Sequence, residues 1–142
     1  LKAAAVAAAD EARRLSVIRP KLLAVTVLTS IDADEWKKLG HTNSISQSVL
    51  TMAGAAKAAG MDGTVSSPHE AAEIRRLNGP DFLIVTPGIR PSFAQTDDQK
   101  RVTTPKEAVQ NGATHLVVGR PITKAADPQE AARAIAEEIR EV

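Results

Sequence analysis

Two arginines stand just after short apolar runs of the sequence, at positions where each could bind an anion. Arg90 follows the run at residues 82–86, and Arg120 follows the run at residues 115–119, which ends in Gly119. Glycine lets a backbone N–H come close to an anion, and the arginine guanidinium offers a fork of donors that matches phosphate oxygens. A single arginine of this kind is more simply interpreted as a surface residue with no ligand. Two arginines after successive runs favour a phosphate-binding site.

The stretch at residues 92–100 lies between these arginines and is polar, with Phe93 and Ala94 as its apolar residues. This composition predicts a loop that is mobile without ligand and ordered with it. Gln99 could reach a bound ligand if the loop folds over it. The alternative is a solvated loop whose charged side chains remain in water.

Residues that could bind a metal or act as nucleophiles are scattered along the chain. His41, His69 and His115 show no spacing typical of a metal site, and the sequence has no Cys. Neither a Gly-rich phosphate loop nor a serine nucleophile motif occurs. We therefore interpret the three histidines as structural or surface residues.

The charge of the chain is nearly balanced, with 18 Lys and Arg against 17 Asp and Glu. Such a balance gives no general attraction for nucleic acid or anionic membranes, so anion binding requires a local site. Aromatic residues make up 2% of the sequence, which argues against a stacking platform for single-stranded nucleic acid. No apolar run is long enough to span a bilayer. The lack of Cys fits a reducing compartment.

Short apolar runs alternate with helical segments along the 142 residues. An Ala-rich helix is predicted first, at residues 2–15. The four predicted strands lie at residues 22–28, 63–67, 82–86 and 115–119. The helices that follow them are predicted at residues 33–39, 45–59, 68–77, 105–110 and 128–141, with Ser30 or Asp32, Thr104 and Asp127 as N-caps.

Continuous apolar strands of this kind are typical of parallel strands covered by helices. Such crossovers build either a doubly wound sheet or a (β/α)8 barrel, and periodicity alone does not choose between them. A complete barrel typically needs about 250 residues, so a barrel here would be roughly half present. Polar residues and Gly follow each strand, where parallel α/β folds bind ligands. They are Thr29, Ser30, Ser66, Ser67, residues 86–90, Gly119 and Arg120.

Three segments together resemble orotidine 5′-phosphate decarboxylases of the bacterial type, namely residues 24–30, 85–91 and 117–123. Residues 98–101, Thr104 with Pro105, and residues 60–63 with Ser66 add to the resemblance, which covers essentially the whole chain. It implies an α/β fold in which residues 1–142 form the C-terminal half of a single (β/α)8 TIM barrel domain, with about four strand–helix units. No separate second domain is expected, and the chain would begin in the helix after the fourth strand of the barrel.

The resemblance also implies roles for single residues. Thr29 matches the position that hydrogen-bonds the pyrimidine ring, and Arg90 lies at a ligand-contacting strand end. Gln99 matches the loop residue that closes over the phosphate. Gly119 would supply a backbone N–H to the phosphate, and Arg120 its side-chain fork.

The catalytic motif of the family does not occur in this sequence. That motif is an Asp-x-Lys-x-x-Asp run at an earlier strand end, whose Lys protonates C6 as carbon dioxide leaves, with no cofactor or metal. We therefore assign no catalytic residue within the 142 residues and expect the chain alone to be inactive.

The function implied by the resemblance is the decarboxylation of orotidine 5′-phosphate to uridine 5′-phosphate in de novo pyrimidine biosynthesis. The family also implies a cytoplasmic homodimer that binds a small nucleotide, with no nucleic-acid or membrane partner. Two alternatives stay open: another phosphate-binding barrel enzyme, such as a keto-gulonate phosphate decarboxylase, and a non-catalytic half-barrel that binds phosphate ligands.

Overall fold

A four-stranded parallel sheet forms the centre of the structure, a computed structural model that describes residues 1–91, 93 and 101–140. Its strands are β1 (Leu23–Val25), β2 (Gly63–Val65), β3 (Leu83–Thr86) and β4 (His115–Leu116). They lie in the order β1-β2-β3-β4, and every neighbouring pair is parallel. A doubly wound sheet reverses its strand order at a switch point, whereas a barrel adds each strand beside the last. The sheet has the order of a barrel.

Helices connect and flank these strands. They are α1 (Lys2–Leu15), α2 (Ala33–Lys38), α3 (Ile45–Ala58), α4 (Ala71–Asn78), α5 (Pro105–Gln110), α6 (Arg120–Thr123) and α7 (Pro128–Arg140), with a 3-10 helix at Pro68–Glu70 before α4. No helix in the described part of the chain is long and apolar enough to cross a membrane.

The helix starts agree with the sequence-based expectations because their caps are local. Asp32 and Thr104 each form a capping box, in which the cap side chain and the acidic residue three positions later bond each other's backbone N–H. Two differences stand out. The segment after Ser67 begins as a 3-10 turn rather than an α-helix, and the four-residue helix α6 after Gly119 was not predicted.

The strands are shorter than the apolar runs predicted. The run at residues 22–28 contains only the three ladder residues of β1, because strand pairing needs a partner and not only an apolar sequence. Single hydrogen bonds extend the ladders slightly: Thr26 N donates to Val65 O (3.1 Å), and Val117 N donates to Thr86 O (2.9 Å). Beyond these bonds the chain leaves the sheet to form the loops at its carboxyl end.

The two faces of the sheet differ in burial, because successive side chains of a strand point to opposite sides. On one face Ile84 is fully buried against Val49 and Ile74 of α3 and α4. On the other face Val25 and Val117 remain 63% and 51% exposed. The helices therefore cover one face of the sheet, and the face that would line a barrel is open.

Candidate phosphate-binding site

A small cavity lies at the carboxyl ends of β1 and β2. Its volume is about 220 Å³, and Thr29 and Ser30 contribute hydroxyl groups to its wall. Thr29 is 7% exposed, so its position is set by the surrounding protein. The remaining lining residues are Val25, Val27, Leu28, Val65, Ser66 and Pro87. Apolar walls with a few hydroxyls suit a flat, weakly polar group better than a phosphate.

A network of hydroxyl groups adjoins this cavity and includes Ser66 of its lining. The Thr26 hydroxyl donates to Val65 O (3.0 Å) and lies 3.2 Å from the Ser66 hydroxyl, which donates to Thr64 Oγ1 at 3.0 Å. Thr64 and Ser66 are 0% and 1% exposed, and their hydrogen bonds satisfy them inside the protein. These bonds fix the wall of the cavity. The sequence marked Ser66 as a polar residue after a strand and as part of the resemblance, but a network between two strands is not visible in a linear pattern.

Arg90 follows β3 in a tightly held stretch of backbone. Gly88 has a φ of 78°, a left-handed conformation that glycine adopts easily and that turns the chain away from the strand. Ile89 is fully buried and forms an isolated parallel bridge with Thr103. The Arg90 N–H donates to Thr103 O (2.9 Å), and Nη1 donates to Ile89 O (2.9 Å). The backbone of Arg90 is therefore held in place at the strand end, and the guanidinium extends from that fixed point.

Gly119 and Arg120 follow β4, the neighbouring strand of the sheet. Gly119 caps α6, and its carbonyl accepts hydrogen bonds from Ile122 N (2.9 Å) and Thr123 N (3.0 Å). A Cβ placed on Gly119 would meet no atom within 4 Å, so the space beside it is open. The open approach at Gly119 is consistent with a ligand close to the backbone.

A buried ion pair joins the loops that follow β2 and β3. Glu70 Oε1 accepts a hydrogen bond from Arg101 Nη2, and the two side chains are 6% and 10% exposed. Burial raises the pKa of the Glu70 carboxyl above its ordinary value, although the facing Arg101 guanidinium opposes that rise. Beside the pair, His69 Nε2 lies 3.1 Å from Val102 O. Sequence reasoning missed this pair because its members are 31 positions apart and neither has a distinctive neighbour.

The predicted site residues divide into two parts at one end of the sheet. Thr29 lines the cavity after β1, whereas Arg90, Gly119 and Arg120 follow β3 and β4 and are not part of its lining. Gln99 and the loop at residues 92–100 lie outside the described residues, apart from Phe93. Within the described residues no group of three His, Cys, Asp or Glu could hold a metal ion. The arrangement pairs a weakly polar cavity with arginines at adjacent strand ends.

The strand order, the open face of the sheet and the polar groups at the strand ends together define half of a (β/α)8 barrel, a fold that binds ligands at the carboxyl end of its strands. The chain belongs to the orotidine 5′-phosphate decarboxylase / HUMPS family, whose family model matches residues 1–135.

Relatives with names support this membership. The chain is 58% identical over 121 residues to an orotidine 5′-phosphate decarboxylase of Trichlorobacter lovleyi, a match that covers 85% of this chain and 50% of the relative. It is 49% identical over 140 residues to the enzyme of that name from Moorella thermoacetica, covering 98% of this chain and 56% of the relative. The chain thus spans about half the length of these relatives.

Solved structures agree with the sequence relatives. The crystal structure of orotidine 5′-phosphate decarboxylase from Lactobacillus acidophilus superposes with a TM-score of 0.71 at 43% identity, covering 87% of this chain and 50% of that one. The enzyme of Pyrococcus horikoshii superposes with a TM-score of 0.61 at 26% identity, covering 87% and 53%. The predicted fold, a half-barrel of the orotidylate decarboxylase type, is confirmed.

Proposed function

We propose that this chain supplies the phosphate- and base-binding side of an orotidine 5′-phosphate decarboxylase, a lyase of pyrimidine biosynthesis. The observation that carries the proposal is the placement of Arg90 and Arg120 after adjacent parallel strands, at the same end of the sheet as the mostly apolar cavity that Thr29 lines. The names of the relatives point to the nucleotide as the ligand that joins these two parts.

In this proposal each part of the site binds one end of the nucleotide. Arg120 pairs with the phosphate through charge-assisted hydrogen bonds, and the open approach at Gly119 admits a phosphate oxygen to a backbone N–H. Arg90 adds a second positive charge, and Gln99 closes over the phosphate. The Thr29 hydroxyl bonds the pyrimidine ring. Phosphate binding energy far from the reacting carbon can then be used to order the closed site.

The chemical step needs residues that this sequence does not contain. We propose that four further strand–helix units, which carry the Asp-x-Lys-x-x-Asp run, cover the open sheet face at Val25 and Val117. In that barrel residues 1–142 form one half of a single domain. We further propose that the assembled enzyme is a cytoplasmic homodimer that binds orotidine and uridine 5′-phosphates.

The proposal is tested in a complete barrel, in which this chain is fused after the first half of the Trichlorobacter lovleyi relative. We expect this fusion to deplete the absorbance of orotidylate, and the 142-residue chain alone to leave it flat. A folded fusion that binds uridine 5′-phosphate without turnover would favour a non-catalytic phosphate-binding role. Robust activity of the chain alone, with contaminating enzyme excluded, would show that the catalytic residues have been misplaced.

A further inference from the structure

The chain leaves the sheet after β3 and returns to the same place before α5. Residues 101–104, called the return segment here, lie beside Ile89 and Arg90 through the parallel bridge between Ile89 and Thr103. The Arg90 N–H donates to Thr103 O at 2.9 Å. The backbone position of Arg90 therefore depends on where the return segment lies.

Two side-chain contacts tie the return segment to the loop that follows β2. Arg101 donates to the Glu70 carboxylate, and His69 Nε2 lies 3.1 Å from Val102 O. Glu70 and His69 belong to the 3-10 helix at Pro68–Glu70, in which the Ser67 hydroxyl accepts from His69 N at 3.3 Å. These two contacts link the return segment to the strand end of β2.

The Glu70–Arg101 pair is poorly explained as a device for stability alone. Both side chains are buried, and among the described residues neither Glu70 Oε2 nor Arg101 Nη1 has a hydrogen-bond partner. Buried ion pairs can often be replaced by apolar residues with no loss of stability, and unsatisfied buried polar atoms add a further cost. What a charged, directional contact offers over an apolar one is a defined geometry between the two loops.

We propose that Glu70 and Arg101 are positioning residues, which hold the return segment so that Arg90 is set for the phosphate of a bound nucleotide. The inference rests on the proposed function for its ligand. Its structural half, that the pair fixes the Arg90 backbone, stands on the contacts just described. Neither Glu70 nor Arg101 needs to touch the nucleotide.

The test compares Glu70→Gln with Glu73→Gln in the complete barrel. The first change keeps the shape of the side chain and removes its charge at the pair. The second removes an exposed carboxylate one turn away, which pairs with Arg76. Amide hydrogen exchange at Arg90 reports the bond to Thr103, and titration with uridine 5′-phosphate and with uridine reports phosphate recognition.

We expect Glu70→Gln to speed exchange at the Arg90 amide by about tenfold or more. We also expect it to weaken uridine 5′-phosphate binding by about ten- to a hundred-fold, because small misplacements of a binding group have effects of this size. Uridine binding should not change, and Glu73→Gln should change neither readout. Arg101→Lys, which keeps the charge but loses the fork, should retain part of the phosphate-dependent affinity.

The inference would be overturned by unchanged exchange at Arg90 in Glu70→Gln, or by an equal loss of affinity for uridine and its phosphate. A fall in melting temperature with unaltered nucleotide affinity would reduce the pair to a structural contact and overturn the inference as well. Failure of the proposed function looks different, since the unsubstituted barrel would then show no preference for uridine 5′-phosphate over uridine, whatever the exchange at Arg90.

Discussion

Charged residues at the two ends of the sheet are used differently. At the amino end, Arg75 donates to the carbonyls of Gly79 (2.7 Å), Pro80 (2.7 Å), Phe82 (2.9 Å) and Gly112 (3.1 Å). One guanidinium thus ties the loop before β3 to the loop before β4.

Asp62 has a similar part at the amino ends of β1 and β2. Its carboxylate accepts from Leu22 N (2.8 Å), Arg19 (2.6 Å) and Lys21 (3.3 Å). The donors and acceptors of Asp62 and Arg75 are thus occupied by the loops that begin the strands. These two charged side chains therefore stabilise the fold by holding the loops together.

At the carboxyl end Arg90 and Arg120 follow the strands instead of joining the loops that precede them. Arg90 comes after β3 and Arg120 after β4, where the space beside Gly119 is open. In the proposed function, the amino end stabilises the half-barrel and the carboxyl end binds the ligand, a division common to (β/α)8 barrels. Substitutions at the two ends should therefore separate stability from affinity.

The largest effect is expected for Arg75→Ala at the amino end. The change removes one donor group from four backbone carbonyls, and we expect it to lower the free energy of unfolding by about 3 kcal/mol. Chemical denaturation of the complete barrel measures this, and the uridine 5′-phosphate affinity of the folded protein should stay the same. Arg76→Ala is the matched control, because Arg76 is exposed and pairs with Glu73 only through a surface contact. A comparable loss of unfolding free energy in both variants would show that Arg75 contributes no more to stability than a surface arginine.

At the carboxyl end, Arg120→Ala should have the opposite profile. Loss of a charge-assisted hydrogen bond costs about 1.5–3 kcal/mol, which corresponds to roughly ten- to 150-fold weaker binding of uridine 5′-phosphate. Calorimetric titration measures the dissociation constant, and uridine binding and the unfolding free energy should be nearly unchanged. Arg133→Ala, on the exposed face of α7, serves as the control. An unaltered dissociation constant for the nucleotide would remove Arg120 from the phosphate site.

Asp62→Asn should reduce stability by about 1–2 kcal/mol near neutral pH and leave ligand affinity alone. Burial by itself would raise the pKa of the Asp62 carboxyl, but the hydrogen bonds from Leu22 N, Arg19 and Lys21 lower it below its ordinary value. The ionised form therefore favours folding, fully above the unfolded pKa of about 3.9, and this contribution is lost as pH falls through the folded pKa. The difference between wild type and variant should stay constant from about pH 7 to 5 and narrow below about pH 4. A difference in unfolding free energy between wild type and variant that widens below about pH 4 would contradict this role of the ionised Asp62 carboxylate.

The sequence predicted what local chemistry determines. Thr104 before Pro105 marks the start of α5, and Asp32, one of the two caps predicted together with Ser30, marks the start of α2, because a cap needs only backbone groups two or three residues away. The polar positions after each strand were also predictable, since parallel strands bring all their carboxyl ends to one edge.

Features that depend on partners far away in sequence could not be predicted. The apolar run at residues 22–28 does not show that only three residues pair, and α6 gives no signal in four residues. The Glu70–Arg101 pair and the carbonyls around Arg75 belong to contacts between loops. The periodicity of the sequence was equally compatible with a barrel and with a doubly wound sheet, and the strand order of the structure decided between them.

The smallest effect should come from Thr29→Val. This variant separates the contribution of the cavity that Thr29 lines from that of Arg90 and Arg120 at the same end of the sheet. Valine keeps the shape of the buried side chain and removes the hydroxyl, so a neutral hydrogen bond to the pyrimidine is lost. Such a bond is worth about 0.5–1.5 kcal/mol, or roughly two- to twelve-fold in affinity. Because the hydroxyl is assigned to the base and not to the phosphate, uridine and uridine 5′-phosphate should weaken by the same factor. Parallel titrations of both ligands test this, with Thr51→Val on the exposed side of α3 as the matched control. A loss confined to the phosphorylated ligand would move Thr29 to the phosphate part, and no loss for either ligand would remove it from the site.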